Sequence, residues 1–208
     1  MAISYPLALP TTTGFTSIVW APKSVVGVVS SRFTYHQKKY VWDGQTRKGS
    51  ATLPALTVAQ AKLWQSFILK LNGREGSFYL RDSEPFRTPQ GAITDSLGSV
   101  IIDTGGGVPG TSIDVAGLPT SETDTLLAGD YISIDDRLYQ VTDDVTSDGG
   151  GLGTINIWPF VRSTIVDATS VEIGSAAQGI FQLTEFPEFV WDLSRLQSGL
   201  TLNFEEVL

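Results

Sequence analysis

One stretch of this chain, residues 57–71, has helical periodicity, and it stands among runs that read as strands. Thr57 is placed to cap a helix, and Gln60, three residues on, completes a capping-box pattern. Ala61, Trp64, Phe67, Ile68 and Leu71 fall on one face, while Lys62, Gln65 and Lys70 fall elsewhere. Asn72-Gly73 suits the left-handed conformation that ends a helix, and Gly76 turns the chain into a strand over 77–82. A lone amphipathic helix in a strand-rich chain must bury its apolar stripe on a sheet face. Trp64 and Phe67 are therefore expected in a core and not at a ligand. The fold class that follows is mainly β with one lateral α-helix.

Residues 17–20, 24–36 and 39–43 are rich in β-branched and aromatic side chains, with a partial alternation at Arg32, Phe33, Thr34 and Tyr35. Gln37-Lys38 predicts a tight connection, and the charged run 43–48 predicts a turn before a strand at 49–56. Near residue 90 the composition changes to a Pro-, Gly- and Ser-rich crossing, 85–99. Beyond it, strands are expected at 99–103, 111–117, 130–135, 137–143, 153–160 and 170–174, a spacing that indicates a small β-barrel or β-sandwich. Asp135-Asp136 suits a hairpin turn, and the loop 146–153 joins another strand pair. From residue 179 the aromatic texture of the first 90 residues returns, closing on the strand LTLNFEEV. The expected organisation is an N-terminal β domain over 1–92, an inserted β-rich domain over 93–178, and return strands over 179–208 that complete the first domain.

The formal net charge of −8 conceals an asymmetry. Residues 1–90 hold eleven of the 14 Lys and Arg but four of the 22 acidic residues. Two modules of different composition would produce this, and so would identical copies that meet basic part against acidic part. Nucleic-acid binding fits poorly, because the aromatic-basic interleaving of an RNA-binding sheet is missing and the whole chain is acidic. The N-terminal sequence MAISYPLALP lacks the basic region and apolar run of a signal peptide, and no run is long enough to span a membrane. No membrane insertion is expected.

Chemistry finds few candidates. With no Cys and one His, His36, thiolate metal sites, cysteine nucleophiles and multi-histidine sites are excluded. Asp130, Asp135, Asp136, Asp143, Asp144 and Asp148 suggest calcium, but no Glu follows at the twelfth position of an EF-hand loop, and turn aspartates explain them equally well. The triglycines at 105–107 and 149–151 lack the Lys-Ser/Thr of a phosphate-binding loop. Glu185 with Glu188, or Glu205-Glu206, could in principle serve a glycosidase; adjacent acids on a C-terminal strand are more simply solvated or interfacial. No catalytic set, metal site or cofactor is expected, and the chain reads as an assembly part and not an enzyme.

The segment LTVAQAKLWQSFILKLNGREGSFYLRD (56–82) resembles the belt-domain helix and strand of distal tail proteins from long-tailed bacteriophages, and AGDYISIDDRLYQVTDDVTSDGGGLGTINIWPFVR (128–162) is similar to a β module of phage tail-tip proteins. Together these segments cover about a third of the chain. The resemblance implies a β-sandwich belt domain with a lateral helix plus an added barrel-like domain. It further implies a homo-oligomeric, hexameric ring that stacks on the tail tube protein above and on hub, tip or fibre proteins below, with DNA passing only through its lumen. The location would be the tail tip of a virion assembled in the host bacterial cytoplasm. On this reading Arg32, Lys38, Lys39, Arg47 and Lys48 are interface cations that meet Asp135, Asp136, Asp143 and Asp144 of a neighbour. An alternative is a carbohydrate- or receptor-binding module whose Trp42, Tyr139 and Trp158 stack on sugar. A cell-wall hydrolase that uses the acidic residues is a third reading.

Overall fold

A computed structural model describes residues 3–81, 88–93, 99–189 and 200–208. The fold is mainly β, with two sheets and one α-helix among the described residues. The first sheet contains β1 (Ser17–Ser30), β2 (Gln37–Thr52), β3 (Ser77–Leu80), β10 (Gly179–Leu183) and β11 (Thr201–Glu206), in the order β1-β2-β11-β10-β3. The last two strands of the chain thus enter the sheet between its first two and its third. The second sheet contains β4 (Ile101–Ile102), β5 (Gly110–Ala116), β6 (Tyr131–Ile134), β7 (Arg137–Val141), β8 (Gly153–Val161) and β9 (Glu172–Ile173), in the order β4-β5-β8-β7-β6-β9. Its outer strands meet: Ile102 N–H donates to Thr169 O, Ala168 N–H to Ile102 O, and Val171 N–H to Val100 O. The crossing expected at 85–99 and the aromatic stretch before β11 fall partly outside the described residues.

The helix α1 spans Val58–Leu71. Thr57 and Gln60 form the reciprocal capping box, which satisfies two N-terminal donors, and Asn72 ends the helix in the left-handed region at φ 48°. Its buried face, Ala61, Trp64, Phe67, Ile68 and Leu71, packs with Leu53, Phe78, Phe181 and Phe204 into one core. Ring contacts run from Phe15 through Trp64 and Phe67 to Phe78 with centroids 5.6 to 6.0 Å apart. A second core, mostly Ile and Val, fills the other sheet, where Ile113, Val115, Ile132, Val141, Ile155 and Ile173 point inward. That alternation of small branched residues with polar ones is what a curved antiparallel sheet needs to close over its own interior.

The first two strands differ from the sequence expectation. β1 runs unbroken through Pro22, which an edge strand tolerates because the missing N–H faces away from the ladder. The expected strand over 24–36 ends at Ser30. Arg32, Phe33, Thr34 and Tyr35 lie instead in a loop, closed by bonds from Phe33 N–H and Thr34 N–H to Ser31 Oγ and by a left-handed Tyr35 at φ 55°. Gln37-Lys38 is no turn but the start of β2, paired with Ser30 and Val29. The charged run 43–48 is no turn either. It continues β2, and the ladder absorbs the extra residues Asp43 and Gly44 where pairing steps from Ser24↔Gln45 to Val25↔Trp42. The strand expected at 49–56 is the inner end of the same β2, which stops at Thr52.

Candidate interaction surface

Beyond that irregularity, Val25–Ser30 and Gln37–Trp42 pair only with each other, as the outer part of a hairpin about 20 Å long. Cross-strand partners share a face, so Val25, Gly27, Val29, Lys38, Tyr40 and Trp42 lie on one side, and Val26, Val28, Lys39 and Val41 on the other. The first side is ordered from within. The Trp42 ring lies across Gly27, where an added Cβ would come within 2.9 Å of it. Tyr40 stacks on Trp42 at 6.4 Å, and the Lys38 ammonium sits 5.2 Å over Tyr40. Both sides are nevertheless open to solvent: Val41 is 72% exposed, and at the tip Phe33 is 96% exposed. Four valines on one strand, pointing to both faces, are the pattern of a strand covered on both faces. Among the described residues nothing covers them.

The inner end of β2 has the opposite character. Arg47 is buried, a correction to its expected role as an interface cation. Its guanidinium donates to Leu138 O at 3.0 Å and Trp158 O at 3.1 Å, and it lies over the rings of Tyr131 and Trp158. Its backbone N–H donates to Glu206 Oε2, whose other oxygen accepts from Arg137 Nε at 2.9 Å. One residue further, Lys48 pairs with Glu205, which also accepts from Arg74 and Gln182. The Lys48 hydrogen bond, together with that from Gln182 and the nearby Lys48 and Arg74 charges, holds the Glu205 carboxyl below the usual glutamate range against the opposing effect of burial. Glu205-Glu206, expected to be solvated or interfacial, is therefore a buried pair: Glu205 binds within the first sheet and its border, and Glu206 reaches Arg137 of the second sheet. Gln45 belongs to the same seam: its side chain accepts from Phe160 N–H at 2.7 Å and its carbonyl from Arg162.

The nine residues expected at a subunit interface thus separate. Arg47 and Lys48 have partners within the chain. Asp135 and Asp136 form the two-residue turn between β6 and β7, both left-handed at φ 49° and 58°. This turn faces the seam, since Asp136 O accepts from Ile180 N–H and its carboxylate from Tyr79 Oη. Arg32, Lys38 and Lys39 are exposed on the arm, and Asp143 and Asp144 are exposed in the loop after β7. Among the described residues, ion pairs join only Glu205 with Lys48 and Arg74, and Glu206 with Arg137. The other loop aspartates hold their own turns: Asp130 accepts from Gln90 N–H and Leu127 N–H, and Asp148 from Gly150 N–H and Leu152 N–H.

The aromatic set Trp42, Tyr139 and Trp158 does not share a surface. Trp42 is on the arm, Tyr139 is buried, and Trp158 is covered by Arg47. Among the described residues no helix is long and apolar enough to cross a membrane. The chain matches no protein-family model, and no curated protein is significantly similar to it.

Proposed function

We propose that this chain is a non-enzymatic structural protein of a bacteriophage tail tip, a ring-forming subunit that joins the tail tube to the hub and fibres. On this reading the first sheet with α1 is the belt sandwich, made by residues 1–92 and 179–208, and the second sheet is a small barrel inserted over 93–178. The ring is hexameric, DNA passes through its lumen, and the subunit takes its place in the virion during assembly in the host cytoplasm.

The outer arm carries this reading. An isolated two-stranded hairpin is marginal in water. An arm with valines on both faces and a bare Phe at its tip leaves its stabilisation to another molecule. A heterologous contact of that kind, repeated by rotation, closes a ring. The resemblance of residues 56–82 and 128–162 to tail-tip proteins supplies the biological setting.

Negative-stain electron microscopy of the concentrated protein, alone and with tail tube protein, tests it. Closed sixfold rings are expected, and they should vanish when residues 25–42 are replaced by a two-residue turn. Dispersed monomers under both conditions would overturn the ring.

A further inference from the structure

The arm needs a surface to dock on, and its charges say which. Its outer part carries Arg32, His36, Lys38 and Lys39 and no carboxylate, and none of its cations is ion-paired. On the second sheet, two neighbouring segments, 119–130 and 142–152, have the complementary character. They are laced together by Thr125 N–H to Val145 O, Ser147 N–H to Glu122 O, and Ala128 N–H to Asp144 Oδ1. Glu122, Asp124, Asp143 and Asp144 project from them into solvent without a cationic partner, and Leu152 is 42% exposed beside them. The arm of the same chain does not fill this place, because both of its faces are open.

Building on the ring reading, we propose that the arm of one copy docks on this acidic loop pair of the next copy, so that the second sheet is itself part of the ring contact. Lys38 and Lys39 point to opposite faces of the arm, so a carboxylate pair on each side can grip it, while Phe33 and the valines meet the exposed Leu152. Charge complementarity of this kind sets partner and orientation, while the apolar contacts supply most of the affinity. The outward face of α1, which exposes Leu63 and Leu69, is the rival acceptor. It carries Lys62 and Lys70, and so repels the arm's cations.

The chain has no Cys, so an engineered thiol is unique. Lys39→Cys chains mixed with Asp143→Cys chains and treated with a short bismaleimide should give intermolecular dimers. The yield is expected to be about tenfold above that from Lys39→Cys mixed with Leu69→Cys. In parallel, Lys38→Glu/Lys39→Glu and Asp143→Lys/Asp144→Lys should each weaken self-association about tenfold by light scattering, and an equimolar mixture of the two should recover it. Cross-linking to Leu69→Cys in place of Asp143→Cys, or failure of the mixture to recover association, overturns the acidic acceptor while the ring stands. A chain that neither cross-links nor associates overturns both.

Discussion

The two ends of β2 are one continuous strand with opposite fates. At the inner end, Arg47 and Lys48 meet carbonyls, rings and carboxylates supplied by β6, β7, β8 and β11. At the outer end, Lys38 and Lys39 share the same pleat with Tyr40, Val41 and Trp42, yet among the described residues no element beyond β1 reaches them. Secondary structure is identical in both halves. What differs is whether the described part of the chain supplies the complement, and the part left without one is the part we propose to serve association.

The comparison breaks most sharply at Arg47. Arg47→Met strips the Leu138 and Trp158 carbonyls of their donor, and urea unfolding should register a loss of about 2–4 kcal/mol. A loss comparable to that of an arm lysine would mean that the seam does not depend on it. Next comes Gly49, where an added Cβ would lie 2.3 Å from Val19 O and 2.7 Å from the Phe204 ring. Gly49→Ala is expected to cost about 1–3 kcal/mol by overpacking, visible as a lower denaturation midpoint at unchanged slope.

Glu205 sharpens the comparison through pH. Its folded pKa is lowered, so its contribution is present above the ordinary glutamate range and is lost as pH falls through the lowered value. The gap in melting temperature between the wild type and Glu205→Gln, worth on the order of 1 kcal/mol at neutral pH, should narrow on acidification. A gap that does not change with pH would assign the effect to packing. Smallest of all, Val41→Ser on the arm should alter the stability of the dilute monomer by no more than about 0.5 kcal/mol, while weakening self-association. Equal damage to both would show that the arm is already covered in the monomer.

Local signals were legible. Thr57, Gln60 and Asn72 act within a few residues of themselves, so the helix and its ends could be placed from sequence, as could the Asp135-Asp136 turn. Distant supply was not legible. Arg47 and Lys38 look alike in a basic, strand-forming run, and only the fold brings Leu138 and Trp158, 91 and 111 residues away, to one of them. Alternation misled at Arg32–Tyr35 because the Ser31 hydroxyl and a left-handed Tyr35 outweigh β propensity there. The run 43–48 was mistaken for a turn because Asp-Gly marks a hairpin and a bulge alike. A clue to the arm was present: consecutive valines at 25–26 and 28–29 are apolar on both faces, which a one-sided sheet does not require.

The irregularity at Asp43 and Gly44 sets a phase. Val25 follows Ser24 by one position while Trp42 precedes Gln45 by three, both odd steps, so inside and outside are conserved across it. The side of β1 and β2 that carries Ile18, Trp20 and Ala51 against the first core therefore continues outward as Val26, Val28 and Val41. If the proposed neighbour covers those valines, it prolongs one hydrophobic interior from a single molecule into the next. Removing Gly44 alone would invert the outer part of β2 against an unchanged β1, and set Tyr40 and Trp42 on the side of Val26 and Val28. On the proposed reading, the length of that two-residue insertion couples folding to assembly through parity.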